Sequence, residues 1–397
     1  MMRHRSPDKT GSAVRLLPIC ALLLFAAGCT ERNYAPAECC VTDRTETIRI
    51  DVSRSDRLML LDIVKSCTFI PLETTDESLI GSIDIIGYKD SLFYIADRRQ
   101  KKQLFVFGAD GTFSHTIGRC GRGPDEYIEP SDFCLTDSAV VVLDMYSRSL
   151  KYYKPEGDVI RSHKMDFVIY EIASRPSDAV IYAKAGDNSA LKQLAGYELL
   201  TLTEEGELKA KSCKNPYSMN YTPGYDLHCF NGGIVYCRAL RPAVIGLKGD
   251  SMQTRYILDI TPMPLPADFE KQCRGSFERF TDKFGHTHAW FNGHYWETDS
   301  YAAIGTTYRN RPYMTVYDKS AKTSRTGIIG TRYDAGSIDY NGLICKALNR
   351  AAVCNEGNTL TGYIFAHELP EELRSEFFGS ASDIADKNPL LMKIILK

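Results

Sequence analysis

The chain has 397 residues, a formal net charge of -2, 44% hydrophobic and 25% charged residues. That balance is ordinary for a globular protein, and it excludes the basic footprint that nucleic acid or an anionic membrane surface demands. Tyrosine is unusually frequent, with 23 Tyr and 17 Phe against 2 Trp, a composition compatible with strands.

The first element is a leader. Arg3, Arg5, Lys9 and Arg15 precede an almost wholly apolar run from Leu16 to Ala27. The run is too short to span a bilayer of about 30 Å as a helix. A basic start, a short apolar run and small residues at its end form a signal peptide. The end reads Ala26-Ala27-Gly28-Cys29. Small residues let a peptidase close around the backbone, and the cysteine thiol is the atom to be acylated. This stretch resembles the bacterial lipobox, with Ala26 where leucine is commoner. Residues 1–28 are therefore expected to be a lipoprotein signal peptide, and Cys29 to carry diacylglycerol and an N-acyl chain. Each buried CH₂ of such a chain contributes about 0.8 kcal/mol to anchoring. Thr30 follows the cysteine, and by analogy the absence of an aspartate there points to the outer membrane. Residues 29–45 are polar with Pro36 and read as a tether between lipid and domain.

From residue 46 to 397 short apolar runs alternate with turn signals at intervals of about 8–12 residues, the all-β pattern. Residues 267–280 and 368–378 are the only plausible short helices. An apolar-x-x-acid-Gly-x-apolar pattern recurs three times. It occurs at Phe107, Asp110, Gly111 and Phe113, then at Tyr153, Glu156, Gly157 and Val159, then at Leu202, Glu205, Gly206 and Leu208. Acid-Gly between alternating apolar residues signals a tight hairpin, because glycine accepts positive φ. Ile95-Ala96-Asp97 and Val142-Leu143-Asp144 stand at equivalent places before the first two hairpins. Four strands in about 45 residues make one propeller blade. Weaker copies follow at 226–258, with Gly249-Asp250 at the hairpin, at 289–330, and as strands within 336–369. The segment 261–288 is an insertion between blades four and five. The expected fold is a six-bladed β-propeller of four-stranded antiparallel blades. The last strand, Leu390 to Leu396, needs a partner from the start of the domain, either Thr47 to Val52 or Cys67 to Ile70.

The repeat unit, followed by Ile117-Gly118-Arg119-Cys120-Gly121-Arg122-Gly123-Pro124-Asp125-Glu126-Tyr127, resembles the six-bladed propeller lipoproteins of Bacteroidota, which are similar to NHL-repeat propellers. Trp296-Glu297-Thr298-Asp299, Tyr317-Asp318-Lys319 and Asn388-Pro389 resemble the family as well. The resemblance covers about residues 60–397. It implies the fold and carries no settled activity.

Candidate chemistry is sparse. Arg119 and Arg122 lie in the glycine-rich Gly118–Tyr127 stretch, which reads either as an anion cradle or as a crossover between blades. Together with Glu297 they are the candidate ligand-binding residues. His286, His288 and His294, near Glu297 and Asp299, are a candidate zinc or iron set, since residues i and i+2 of a strand share a side. Asp97 and Asp144 are expected to bond their own turns, with Ca²⁺ as the alternative. Asp84, Asp132 and Asp339 stand near the starts of expected inner strands and are candidates to face the channel. Setting Cys20 and Cys29 aside leaves eleven of the thirteen cysteines, scattered and mostly in apolar runs, so they read as buried thiols. Cys229 with Cys237, or Cys345 with Cys354, can be bridged only if each pair faces across a hairpin. There is no nucleophile elbow, metalloprotease helix or dinucleotide fingerprint.

The expected function is that of a membrane-anchored cell-envelope binding or scaffold module for a peptide, glycan or protein. The alternative is a propeller enzyme of lactonase, lyase or glycosidase type, with a metal or carboxylate site at the channel mouth. No cofactor beyond the lipid is expected, apart from the Ca or Zn alternatives above.

Overall fold

The computed structural model describes residues 42–54, 56–175, 178–219, 221–230, 233–249, 251–330, 338–350, 354–379 and 386–397. The leader, Cys29 and the tether as far as residue 41 lie outside these residues.

Three short strands open the domain: β1 (Glu46–Asp51), β2 (Arg57–Leu58) and β3 (Val64–Pro71). Blade one is β4 (Ile85–Lys89), β5 (Leu92–Asp97), β6 (Gln103–Gly108) and β7 (Phe113–Ile117). Blade two is β8 (Asp132–Leu135), β9 (Val140–Asp144), β10 (Ser149–Tyr153) and β11 (Val159–Lys164). Blade three is β12 (Ile169–Ser174), β13 (Val180–Ala185), β14 (Tyr197–Thr203) and β15 (Leu208–Lys214). Blade four is β16 (Leu227–Phe230), β17 (Gly233–Tyr236), β18 (Ala243–Lys248) and β19 (Ser251–Thr261). Two short helices, α1 (Phe269–Cys273) and α2 (Phe277–Phe280), precede blade five, which is β20 (Ala289–Glu297), β21 (Tyr301–Tyr308), β22 (Arg311–Asp318) and β23 (Thr323–Ile329). After helix α3 (Tyr340–Leu348), blade six is β24 (Cys354–Glu356), β25 (Thr359–Ile364), β26 (Leu390–Leu396) and β3, with helix α4 (Glu371–Phe378) between β25 and β26. The six sheets form the six-bladed propeller.

Burial explains the sequence texture. The two middle strands of a blade are covered on both faces by neighbouring blades. Val140–Asp144 and Ser149–Tyr153 are accordingly buried throughout, and Val140 to Leu143 reads as an unbroken apolar run. The outermost strand β11 is half-covered and alternates. The three acid-Gly hairpins join the outer two strands of blades one to three. Their glycines have φ of 89°, 100° and 98°. Each hairpin has a register shift at the same place, Val106/Phe107, Tyr152/Tyr153 and Thr201/Leu202. A bulge beside a positive-φ glycine is the three-to-five-residue hairpin solution.

The ring closes through β26 pairing antiparallel with β3, so the second of the two expected partners is the true one. The first, β1, lies parallel to β19 as a fifth strand on the rim of blade four, and β2 does the same beside β23 on blade five. One expectation fails: within 336–369, residues 340–348 form a helix rather than a strand. Asp339 caps it, accepting from Gly342 N at 3.0 Å, and Leu343, Ile344, Ala347 and Leu348 join the core beneath blades five and six.

Because strands alternate in direction, all six inner strands start on one face of the ring, where every blade-to-blade crossover also lies. The insertion sits on this face. Phe269, Cys273, Phe280 and Phe284 pack with Met219, Leu240 and Trp290 in a small core of their own. Tyr221 stacks on Phe277 at 3.8 Å, and Phe280 meets Trp290 edge-on at 5.5 Å.

Candidate functional site

The inner strands β4, β8, β12, β16 and β20 surround a cavity of about 970 Å³, together with residues of blade five's outer strands and the end of α3. Its wall is mainly apolar and carries several rings, with Tyr88, Phe133, Tyr221, Tyr225, Trp290 and Tyr295 among the lining residues. Both tryptophans of the chain, Trp290 and Trp296, belong to this wall. The insertion thus acts on the site indirectly, by fixing the rings of Tyr221 and Trp290.

Cations of the wall are turned toward protein. Lys89 Nζ donates to Thr136 O at 2.5 Å. Arg175 pairs with Asp178 at 2.9 Å, and Arg350 with Glu368 at 2.6 Å. Asp132 is buried and spans two blades, accepting from Phe133 N at 2.8 Å and from Ile172 N at 2.7 Å. Burial pushes its carboxyl up to about 8, against the Ile172 and Phe133 N–H groups and Arg98, with Glu171 adding to the rise. Burial thus favours its protonated form. Beside it the Arg98 guanidinium donates to the Tyr225 hydroxyl at 3.3 Å and lies 3.8 Å from Glu129.

His228 of β16 and His294 of β20 line the same cavity. Burial lowers both rings to about 4, so they are neutral at pH 7. The His228 ring sits edge-on to Tyr295 at 5.5 Å. Nε2 of each histidine is sealed from water and has no hydrogen-bond partner.

Behind the wall a buried ion chain ties blade three to blade four. Lys184 lies 2.7 Å from Asp226 and 3.1 Å from Glu171, whose other oxygen accepts from the backbone of Asp226 and Leu227. Arg241 continues it from Glu198 at 2.5 Å to Glu270 of the insertion at 3.5 Å. Such pairs hold register and leave no free charge for a ligand.

The sequence candidates divide accordingly. Among the described residues no three His, Cys, Asp or Glu side chains converge to hold a metal. His294 faces the channel, whereas His286 lies in a separate surface hollow with Met263, Thr287, Arg309 and Asn310, its Nδ1 2.9 Å from Asn310 Oδ1. His288 is turned to Thr287 Oγ1 at 2.9 Å and packs on Phe284. The expected triple is not formed, because the strand begins only at Ala289 and its i, i+2 alternation does not reach His286 and His288.

Arg119, Arg122 and Glu297 are not brought together either. Arg119 pairs with Glu126 at 2.7 Å, Arg122 is exposed, and Glu126 accepts from Gly123 N. The stretch is a crossover stapled by buried Tyr127, whose hydroxyl donates to Ile117 O at 2.7 Å. Glu297 lies at the junction of blades four and five, saturated by Arg255, Lys319, Tyr256 and Tyr295.

Asp97 and Asp144 bond their turns as expected. Asp97 accepts from Gly81, Ser82 and Gln100, and Asp144 from Ile128, Tyr146 and Ser147. Of the three candidate channel aspartates only Asp132 reaches the cavity. Asp84 is held by Ser82 and Arg98 N, and Asp339 caps α3. Cys229, Cys237 and Cys345 are free thiols, so Cys229 and Cys237 do not form the bridge that was open to them; the Cys354 side chain and Cys29 lie outside the described residues. Sequence reading missed Tyr225 and His228. The only signal was their place at the start of the fourth repeat.

Among the described residues no helix is long and apolar enough to cross a membrane. No curated protein matches the sequence. Of solved structures, a Bacteroides fragilis protein described as exported is 15% identical, with 88% of this chain and 99% of that chain covered and a TM-score of 0.68, which shows the same fold. A member of the DUF4221 family from Bacteroides vulgatus is 10% identical over 84% of this chain and 97% of that chain, with a TM-score of 0.47. Residues 45–395 match the family described as a domain of unknown function, DUF4934, and the chain belongs to that family.

Proposed function

We propose that this chain is an exported envelope lipoprotein, acylated on Cys29 and held at the outer membrane, whose ring binds a peptide, glycan or protein segment in its central channel. The observation that carries the binding reading is the 970 Å³ cavity with its mainly apolar, ring-bearing wall. A concave, mainly apolar wall with few polar groups is the usual form of a binding site. The wall's cations are engaged by protein partners, which supports recognition through ring contact and isolated hydrogen bonds. The leader, with Gly28-Cys29 closing its apolar run, supports export, as does the likeness to a protein described as exported.

Both tryptophans line the cavity, so their emission reports on it directly. Peptidoglycan fragments, neutral and acidic oligosaccharides and envelope-derived peptides are titrated against the purified protein. One class is expected to change the emission saturably, and Tyr225→Ala to weaken it. Saturable binding that leaves emission unchanged and survives Tyr225→Ala would move the ligand site away from the channel. For the anchor, intact mass of the membrane-extracted protein should show cleavage before Cys29 and added acyl chains. Cys29→Ala should release it from the detergent phase. A mature chain without acyl mass would remove the lipoprotein reading.

A further inference from the structure

We propose that Tyr225, held by Arg98, bars the channel on the crossover face, so that a ligand enters from the hairpin face. Arg98 belongs to the turn between β5 and β6 of blade one, and Tyr225 stands just before β16 of blade four. Both places lie on the crossover face, and blades one and four stand opposite in a ring of six. The Arg98 guanidinium nevertheless donates to the Tyr225 hydroxyl at 3.3 Å. A bond between opposite blades has to cross the mouth of the channel. Tyr225 lines the cavity and Arg98 does not, so the phenol is the inner layer of the bar and the guanidinium the outer one.

The base of the bar is rigid. The buried ion chain between blades three and four braces the crossover that carries Tyr225. Arg238 donates to the Met219 carbonyl, Lys184 donates to Thr222 Oγ1 at 3.1 Å, and the backbone of Asp226 and Leu227 donates to Glu171 at 2.7 and 3.0 Å. The tip is held lightly. The Arg98 side chain is 25% exposed, and its other charged partner, Glu129, lies 3.8 Å away. One bond from a partly hydrated side chain is broken and remade at small cost. The bar is therefore fixed at one end and releasable at the other. At the far end of the cavity the lining runs out to the hairpins, through Lys89, Leu135, Arg175 and Phe230. Blade three lines the cavity only with Ile172–Arg175, toward the hairpin end of β12. A channel barred on one side takes a chain by its end or by a loop tip and does not thread it. That consequence rests on the channel-binding reading above.

The test needs no ligand. Trp290 stands near the crossover end of β20 and Trp296 near its hairpin end, so each reports on one end of the channel. Acrylamide quenching is measured on the mature chain carrying Trp296→Phe, where Trp290 alone emits, and on the chain carrying Trp290→Phe, where Trp296 alone emits. In the first background Arg98→Ala and Tyr225→Phe should each raise quenching, by up to about fivefold, the shift in an opening equilibrium that loss of one hydrogen bond brings. The two together should do no more than either alone, since both act through one bond. In the second background neither should change the quenching. Unchanged quenching of Trp290 in both variants, an additive double variant, or an equal rise at Trp296 would overturn the bar. Circular dichroism melts verify that the variants fold; if Tyr225→Phe does not, Arg98→Ala decides. Binding in the channel is measured separately, so either result stands without the other.

Discussion

Leu391 faces Ile70 across an antiparallel ladder that joins the last strand of the chain to one of the first. Both side chains enter the core shared with Ile86, Phe93 and Phe107 of blade one, while Leu390, Met392 and Ile394 point the other way into the core shared with blade five. Strand β26 therefore ties blade six to both neighbours. Removing one buried Leu or Ile side chain typically costs about 2–5 kcal/mol, and deleting residues 389–397 removes several at once. The truncated protein is expected to be insoluble or to lack a cooperative melt. A monomeric truncation with a sharp thermal transition would show that the ring does not depend on this closure.

The same junction makes two similar glycines differ. Gly111 and Gly206 both end acid-Gly hairpins, with φ of 89° and 98°. A Cβ on Gly111 would lie 2.1 Å from the Pro71 carbonyl oxygen, which is backbone, and the Gly111 carbonyl accepts from Glu73 N at 2.9 Å. At Gly206 the nearest atom is a His163 ring carbon at 2.8 Å, which can turn away. Positive φ alone costs a side chain about 1–3 kcal/mol. Gly206→Ala should fall within that range, and Gly111→Ala should exceed Gly206→Ala in urea unfolding. Equal losses would mean that φ alone sets the cost.

These hairpins were legible in the sequence because a tight turn restricts residue type. The same holds for Asp97 and Asp144 in so far as their side chains bond the turn just after them, at Gln100 and at Tyr146 and Ser147. The helix over Tyr340–Leu348 was not legible. Its Leu-Ile-Cys run is apolar because the helix is buried between blades, and a short buried run has the same texture in helix or strand. Nor were the parallel, distant pairings of β1 and β2, although Thr47 to Val52 read as a strand. His228 and His294 reach the cavity from different repeats, whereas sequence nearness favoured His286 and His288. The channel wall as a whole comes from the inner strands of blades one to five, whereas the acid-Gly signature marks the outer hairpins of blades one to three.

Asp132 gives a pH signature. Its folded carboxyl titrates at about 8, against 3.8 for an unperturbed group. Between those values the folded state holds a proton that the unfolded state has lost. Stability from this group is therefore complete below about pH 4 and declines as pH rises toward 8. Asp132→Asn abolishes the titration, and its amide oxygen can still accept from a backbone nitrogen. Melting temperatures of the two proteins across pH 5 to 8 should show the wild type losing ground to the variant steadily. A constant difference would mean that Asp132 is ionised throughout, with the Ile172 and Phe133 N–H groups and Arg98 outweighing burial and Glu171.

Glu297 is buried and central to the junction of blades four and five. One oxygen lies 2.6 Å from Arg255 and 2.5 Å from Lys319, and the other accepts from the Tyr295 hydroxyl at 2.6 Å. Removing one partner of a buried ion pair costs about 3–5 kcal/mol, because the other charge stays behind. Lys319 is mostly buried, whereas Arg255 reaches solvent and can rehydrate. Glu297→Ala should therefore be strongly destabilising in urea, chiefly through Lys319. The pair Glu297→Leu with Lys319→Met should recover much of the loss, since two apolar groups replace two charges. If the double substitution instead costs the sum of its parts, Glu297 acts through its hydrogen bonds to Tyr256 and Tyr295. Either way the effect belongs to stability, and channel binding by a folded variant should be unchanged, since this carboxylate is fully engaged by its own protein.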